Sequence, residues 1–163
     1  MTLVYARIEE QLTEALPEIR PAAETYWRVE GAPGNDSGAY IFVESMFAVF
    51  LEILLAMERA PGRDRLLRRS FDFIDEMIAS DDGEVATLAQ IGIFHGRVPW
   101  WWARASPFLG DRTKGRVDQI EPDWRLYASS TESPTEQEKR DIIDLFGVRA
   151  VIASELADKR ISD

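Results

Sequence analysis

Cysteine is missing from this 163-residue chain, and histidine occurs once, as His95. The first absence excludes a disulfide framework and all thiolate chemistry, catalytic or metal-binding. The second leaves little for a histidine-dependent site. A Ser–His nucleophile needs a carboxylate and a strand–turn carrying Gly-x-Ser-x-Gly, and no such turn exists. A di-iron helical bundle needs two Glu-x-x-His motifs, yet the residue three before His95 is Gly92. His95 instead reads as a helix C-terminal cap or an interface residue. Phosphate-cradling loops are lacking too: the glycines between Gly31 and Gly38 follow no strand and precede no Lys-Ser/Thr. Asp81-Asp82-Gly83-Glu84 is too short for a calcium loop. Strand signals, period-2 runs closed by Asn-Gly or Asp-Gly turns, are nearly absent.

What remains is acidic and helical. The net charge is -10. No stretch is basic enough to neutralise a row of phosphates, so direct nucleic-acid binding is not expected. An acidic surface does attract basic partners, and it also serves plain solubility. The first twenty residues lack the basic start and apolar run of a signal peptide, because Glu9, Glu10 and Glu14 interrupt them. The apolar stretch from Tyr40 to Met57 holds Glu44 and Glu52, which a membrane span tolerates badly. It reads as a core helix with a polar stripe of Glu44, Ser45, Ala48, Glu52, Ala56 and Arg59. These features lead us to expect a cytoplasmic chain with no cofactor and no bound metal.

Apolar periodicity marks helices along the whole chain. Val4, Ile8, Leu12 and Leu16 step by four until Pro17. Pro21 opens a second helix, to about Glu30, and Gly31–Gly38 is a loop. A helix from about Ala39 to Arg59 is apolar around most of its circumference and is therefore central. Pro61-Gly62 reads as its end, and Asp64 as the cap of a helix over Arg65–Ala79. The Ser80–Gly83 turn leads into a helix over Glu84–His95. Gly92 lies in its middle, which implies close approach of a neighbouring backbone. A helix near Asp111–Ile120 follows, and Pro122 opens its continuation through Trp124, Leu126 and Tyr127. Ser133-Pro134-Thr135-Glu136 reads as a capping box, with Pro134 in the first turn. Ile142, Ile143, Leu145 and Phe146 continue that helix, and Val148, Val151, Ile152 and Leu156 carry the last one. The expectation is one all-α domain over 1–163, with seven or eight short helices stacked as hairpins. Residues 1–38 would form N-terminal helices and a loop, 39–130 a central stack, and 131–163 C-terminal helices.

Pro99-Trp100-Trp101-Trp102 stands apart. Successive helical side chains point about 100° apart, so three rings cannot share one face. Either neighbouring helices wrap the segment, or a ring faces outward as an interface anchor. The carboxylates offer a third possibility. Glu44 and Glu52 share a stripe, and paired carboxylates do acid/base work when one is desolvated. With 29 acids in the chain, such pairs arise readily by chance, and a solvated face is the simpler reading.

The middle of the chain carries a resemblance. Phe71-Asp72-Phe73-Ile74-Asp75-Glu76-Met77, Asp81-Asp82-Gly83-Glu84-Val85, Ile91-Gly92-Ile93-Phe94, Phe108-Leu109-Gly110 and Trp124 occur in that order. Over about Arg65–Trp124 this resembles a family of small, acidic, HEAT-like helical bacterial proteins, similar to the immunity proteins of polymorphic toxin systems. The resemblance implies a non-enzymatic protein that neutralises a cognate protein toxin by covering its active site or substrate groove. An acidic excess suits a basic toxin, such as a nuclease. Contacts are then expected from Trp100, Trp101, Trp102, Asp81, Asp82, Glu84, Glu121 and Asp123. A helical adaptor that binds an endogenous protein or peptide is the alternative.

Overall fold

A computed structural model describes residues 1–144 and 147–158. Among the described residues there are ten helices and no strand. They are α1 (Ile8–Ala15), α2 (Arg20–Glu30), α3 (Gly38–Ala56), α4 (Pro61–Ile78), α5 (Gly83–Phe94), α6 (Pro99–Ala105), α7 (Asp111–Ile120), α8 (Trp124–Ala128), α9 (Glu136–Asp144) and α10 (Gly147–Asp158). Leu145, Phe146 and the tail from Lys159 lie outside the described residues.

The organising element is α3. It is long and apolar enough to cross a membrane by length and composition, yet most of it is buried by the chain's other helices. Its second half, Ala48–Ala56, hides every residue except Glu52. Helices α1, α2, α4, α5, α6, α9 and α10 all pack on it. An all-round apolar helix needs neighbours on every side, and here it has them. The buried side chains form one continuous cluster from Leu3 to Leu156.

Both α3 and α5 contain a π-turn, over Val43–Phe47 and Gln90–Phe94. The two turns pack on each other. Gly92 makes this possible, since a Cβ there would stand 3.0 Å from Val43 Cγ1 and 3.9 Å from the Glu44 nitrogen. The close approach expected at Gly92 therefore exists, though its nearest neighbour is a side chain rather than a backbone.

Helix ends differ from the sequence expectation where a distant residue does the capping. Pro61 does not terminate α3; it starts α4, with Ala60 as the cap. Asp64 lies in the first turn and pairs with Arg63 at 2.8 Å. Arg63 is buried because its guanidinium serves the end of α3, donating to the Leu54 and Leu55 carbonyls at 2.8 and 3.3 Å. Arg104 of α6 donates to the Leu55 and Ala56 carbonyls at 2.7 and 3.2 Å. Two arginines thus close the open C-terminus of the most apolar helix, where carbonyls lack helical partners and carry partial negative charge. At the start of α7 the cap position is Gly110. Asp75 of α4 fills the vacant side-chain space and accepts from the Thr113 N–H and hydroxyl, both at 2.9 Å. The expected capping box is displaced by two residues. Thr135 accepts from the Glu138 N–H at 3.0 Å and Glu138 accepts from the Thr135 N–H at 2.6 Å, so Pro134 lies outside α9.

Candidate functional site

The tryptophan run is core. Trp100, Trp101 and Trp102 are 4%, 1% and 0% exposed. Their 100° spacing sends each ring to a different neighbour, which is the wrapped alternative. Trp101 meets Phe71 and Phe94 edge-on, Trp102 stacks on Phe94 and lies 6.0 Å from Trp124, and Arg104 lies over Trp100. The assignment of these three residues to a partner-binding surface is therefore corrected: side chains enclosed by α3, α4, α5 and α8 offer no area to another protein. Among the described residues the indole N–H groups of Trp101 and Trp102 have no hydrogen-bond partner, whereas that of Trp124 reaches Asp118 at 2.7 Å.

The acidic candidates fall into two groups at opposite ends of α5. Asp82 caps α5 through the Glu84 N–H at 3.0 Å, and its other oxygen accepts from the Tyr5 N–H at 2.8 Å. Much of its capacity is thus spent on structure. Asp81 and Glu84 are exposed beside it, Asp123 is exposed, and Glu121 is half-buried. Glu84 lines a groove of about 330 Å³ with Tyr5, Tyr40 and Thr87. Glu121 lines a smaller one of about 140 Å³ with His95, Ile120 and Phe94. Both grooves share Ile91, an isoleucine that is 49% exposed. Glu84, Thr87, Ile91 and the C-cap residue His95 are all exposed, so they mark the outer face of α5. Tertiary structure thus brings both acidic turns to one face and centres it on an apolar residue. His95 occupies the C-cap of α5, as expected.

Sequence periodicity missed a second place, behind the π-turn of α3. Arg97 reaches back to the Ile93 and Gly92 carbonyls of the facing π-turn and lies over Trp101. Burial works against its charge, and Glu52 and Glu44 support it. Arg149 of α10 pairs with Glu52 at 3.6 Å. Glu44 and Glu52, two members of the polar stripe read along α3, thus act on the same arginine. A π-turn has no signature in i, i+3, i+4 spacing, so this arrangement was illegible beforehand.

Among the described residues no group of three or more His, Asp or Glu side chains is placed to hold a metal ion. No family model matches this chain, and no curated protein or solved structure is significantly similar to it, so the site is read from its own residues.

Proposed function

We propose that this chain is a protein-binding inhibitor of the immunity type, and that it engages a basic toxin through the outer face of α5. The observation that carries this reading is the half-exposed Ile91 between two grooves, one lined by Glu84 and the other by Glu121. An apolar centre within a polar, charged rim is the usual anatomy of a recognition patch. The rim carboxylates suit a positively charged partner and would speed its encounter. A nuclease fits that description because it needs positive charge to hold its own substrate. The kinship with HEAT-like immunity proteins belongs to the same proposal. Packing of neighbours in sequence, α4 on α5 and α9 on α10, is compatible with stacked helical pairs.

The test is co-expression with the product of the adjacent open reading frame. Rescue of growth and a stable complex are expected. Ile91→Arg, and Glu84→Lys with Glu121→Lys, should weaken that complex at least tenfold while the melting temperature stays put, since all three side chains project at least partly into solvent. Absence of rescue and of a complex, or variants that bind as well as the native chain, would remove the reading.

A further inference from the structure

A hollow of about 360 Å³ opens where the end of α3, the start of α4 and α6 meet. Met57, Ala103, Pro107 and Phe108 give it an apolar wall, and Arg59, Arg63 and Arg104 give it guanidinium groups. The three arginines are not equivalent. Arg63 is buried and each of its nitrogens is engaged, Nε and Nη2 by the Leu54 and Leu55 carbonyls and Nη1 by Asp64. Arg59 is exposed and meets the same Asp64 at 3.4 Å. Arg104 is half-buried, and among the described residues no carboxylate lies within ion-pair distance of it. Its Nη1 donates to the Leu55 and Ala56 carbonyls, and its guanidinium carbon lies 6.0 Å from the centre of the Trp100 ring, so the group is held from two sides. The other edge, Nε and Nη2, makes no hydrogen bond among the described residues, and neither atom is sealed from the surface. With Nη1 turned to the backbone of α3, this edge is the polar part of Arg104 left to line the hollow. It offers two parallel N–H donors, the pattern that a carboxylate accepts as a bidentate pair. Burial works against the charge of Arg63, Asp64 supports it, and Arg104 and Arg59 oppose it, so an anion on Arg104 would also relieve that crowding. Glu58 is exposed, lines the same hollow and makes no ion pair among the described residues.

We infer that this hollow binds an organic carboxylate, its head on the Nε–Nη2 edge of Arg104 and its apolar body against Met57, Pro107 and Phe108. One free fork fits one carboxylate group, and Arg59, exposed beside it, adds a second positive charge. A phosphate dianion finds no second fork, because the nitrogens of Arg63 are already engaged. The inference stands apart from the α5 face and requires no toxin.

The experiment is titration of the purified chain with phenylacetate and 4-methylpentanoate, followed by calorimetry and thermal shift. Neutral phenylacetamide, cationic phenethylammonium and phenyl phosphate are the comparisons. Saturable binding by the two carboxylates is expected, with no response to the amide or the cation. Arg104→Lys keeps the charge and a donor for the α3 carbonyls but loses the fork, and should weaken binding at least tenfold. Glu58→Gln should tighten binding several-fold, because it removes the opposing charge. Ala103→Trp, at a half-buried position on the wall, should block binding without touching an arginine, and circular dichroism checks that each variant is folded. A capped tripeptide carrying a central glutamate separates the sources of the carboxylate. If it binds as well as phenylacetate, a protein side chain is the natural occupant; if only the free acids bind, a small molecule is. No saturable binding by either carboxylate, an equal response to phenylacetamide, tighter binding of phenyl phosphate than of phenylacetate, or carboxylate binding unchanged by both Arg104→Lys and Ala103→Trp would overturn the inference.

Discussion

Single residues hold two costs that the fold tolerates. Glu9 is buried on α1; one carboxylate oxygen accepts from the Gly34 N–H at 2.6 Å and the other has no partner among the described residues. Burial pushes its carboxyl above the ordinary value, the Gly34 hydrogen bond pulls against that, and Glu10 adds to it. An acid held above its unfolded value disfavours the folded state at high pH, and that penalty fades as pH falls through the raised value. Glu9→Gln should therefore melt higher than the native chain near pH 7. The gap should close as the pH falls toward about 4.5, the ordinary value, which thermal melts across that range would read. The second cost lies in the indole N–H groups of Trp101 and Trp102. Trp102→Ala should destabilise by about 3–5 kcal/mol in urea unfolding, because it empties the middle of the aromatic cluster. Trp102→Phe should lose much less, since it keeps most of the ring area and removes an N–H that has no partner.

At the scale of elements, ends and crossings are fixed by residues of other helices. Arg63 is buried and shared between two α3 carbonyls and Asp64. Asp64, which burial pushes up, is nevertheless held below the usual carboxylate range by Arg63 and Arg59. Arg63→Met should cost about 2–3 kcal/mol, because it leaves the buried Leu54 carbonyl without a donor while Asp64 keeps Arg59. Arg104→Met should cost less, roughly 1–2 kcal/mol, because Arg63 still serves Leu55. Urea unfolding of the two variants checks the order. The α4–α7 junction gives a coupled pair. A Cβ on Gly110 would intrude on the Asp75 carboxylate that caps α7. Gly110→Ala and Asp75→Ala should each cost about 1–2 kcal/mol, and the double variant less than their sum, because both break one cap. Gly92→Ala should cost about 1–3 kcal/mol through Val43 and loosen the contact between the two π-turns.

For the whole molecule the net charge of -10 matters through its arrangement. Arginines that cap α3 and the α5 π-turn spend their charge inward, so basic residues contribute less to the surface than their number suggests. If the α5 face receives a basic protein, association should slow roughly tenfold or more between about 0.05 and 0.5 M salt, with dissociation changing little. Stopped-flow measurement of the complex reads both rates.

Helix positions were largely written in local spacing, because a buried face at period 3.6 and a Gly or Pro at its end involve only near neighbours. Thus α3 was legible as the central helix, α7 had its observed bounds, and Val148, Val151, Ile152 and Leu156 marked α10. The three-tryptophan segment could be narrowed by the same geometry to two outcomes, and only the placement of α3, α4, α5 and α8 around it decided for the core. Tertiary structure alone also set Asp75 as the cap of α7, Arg63 and Arg104 as the closure of α3, and Ile91 as the centre of an acidic-rimmed face. These are contacts between separate helices, 38 positions apart for Asp75 and Thr113 and 49 for Arg104 and Leu55, and local periodicity carries no information about which side chain of another helix arrives. The paired π-turns belong there too, since an extra residue in a helix is held by what packs against it, and here that is Gly92 on Val43.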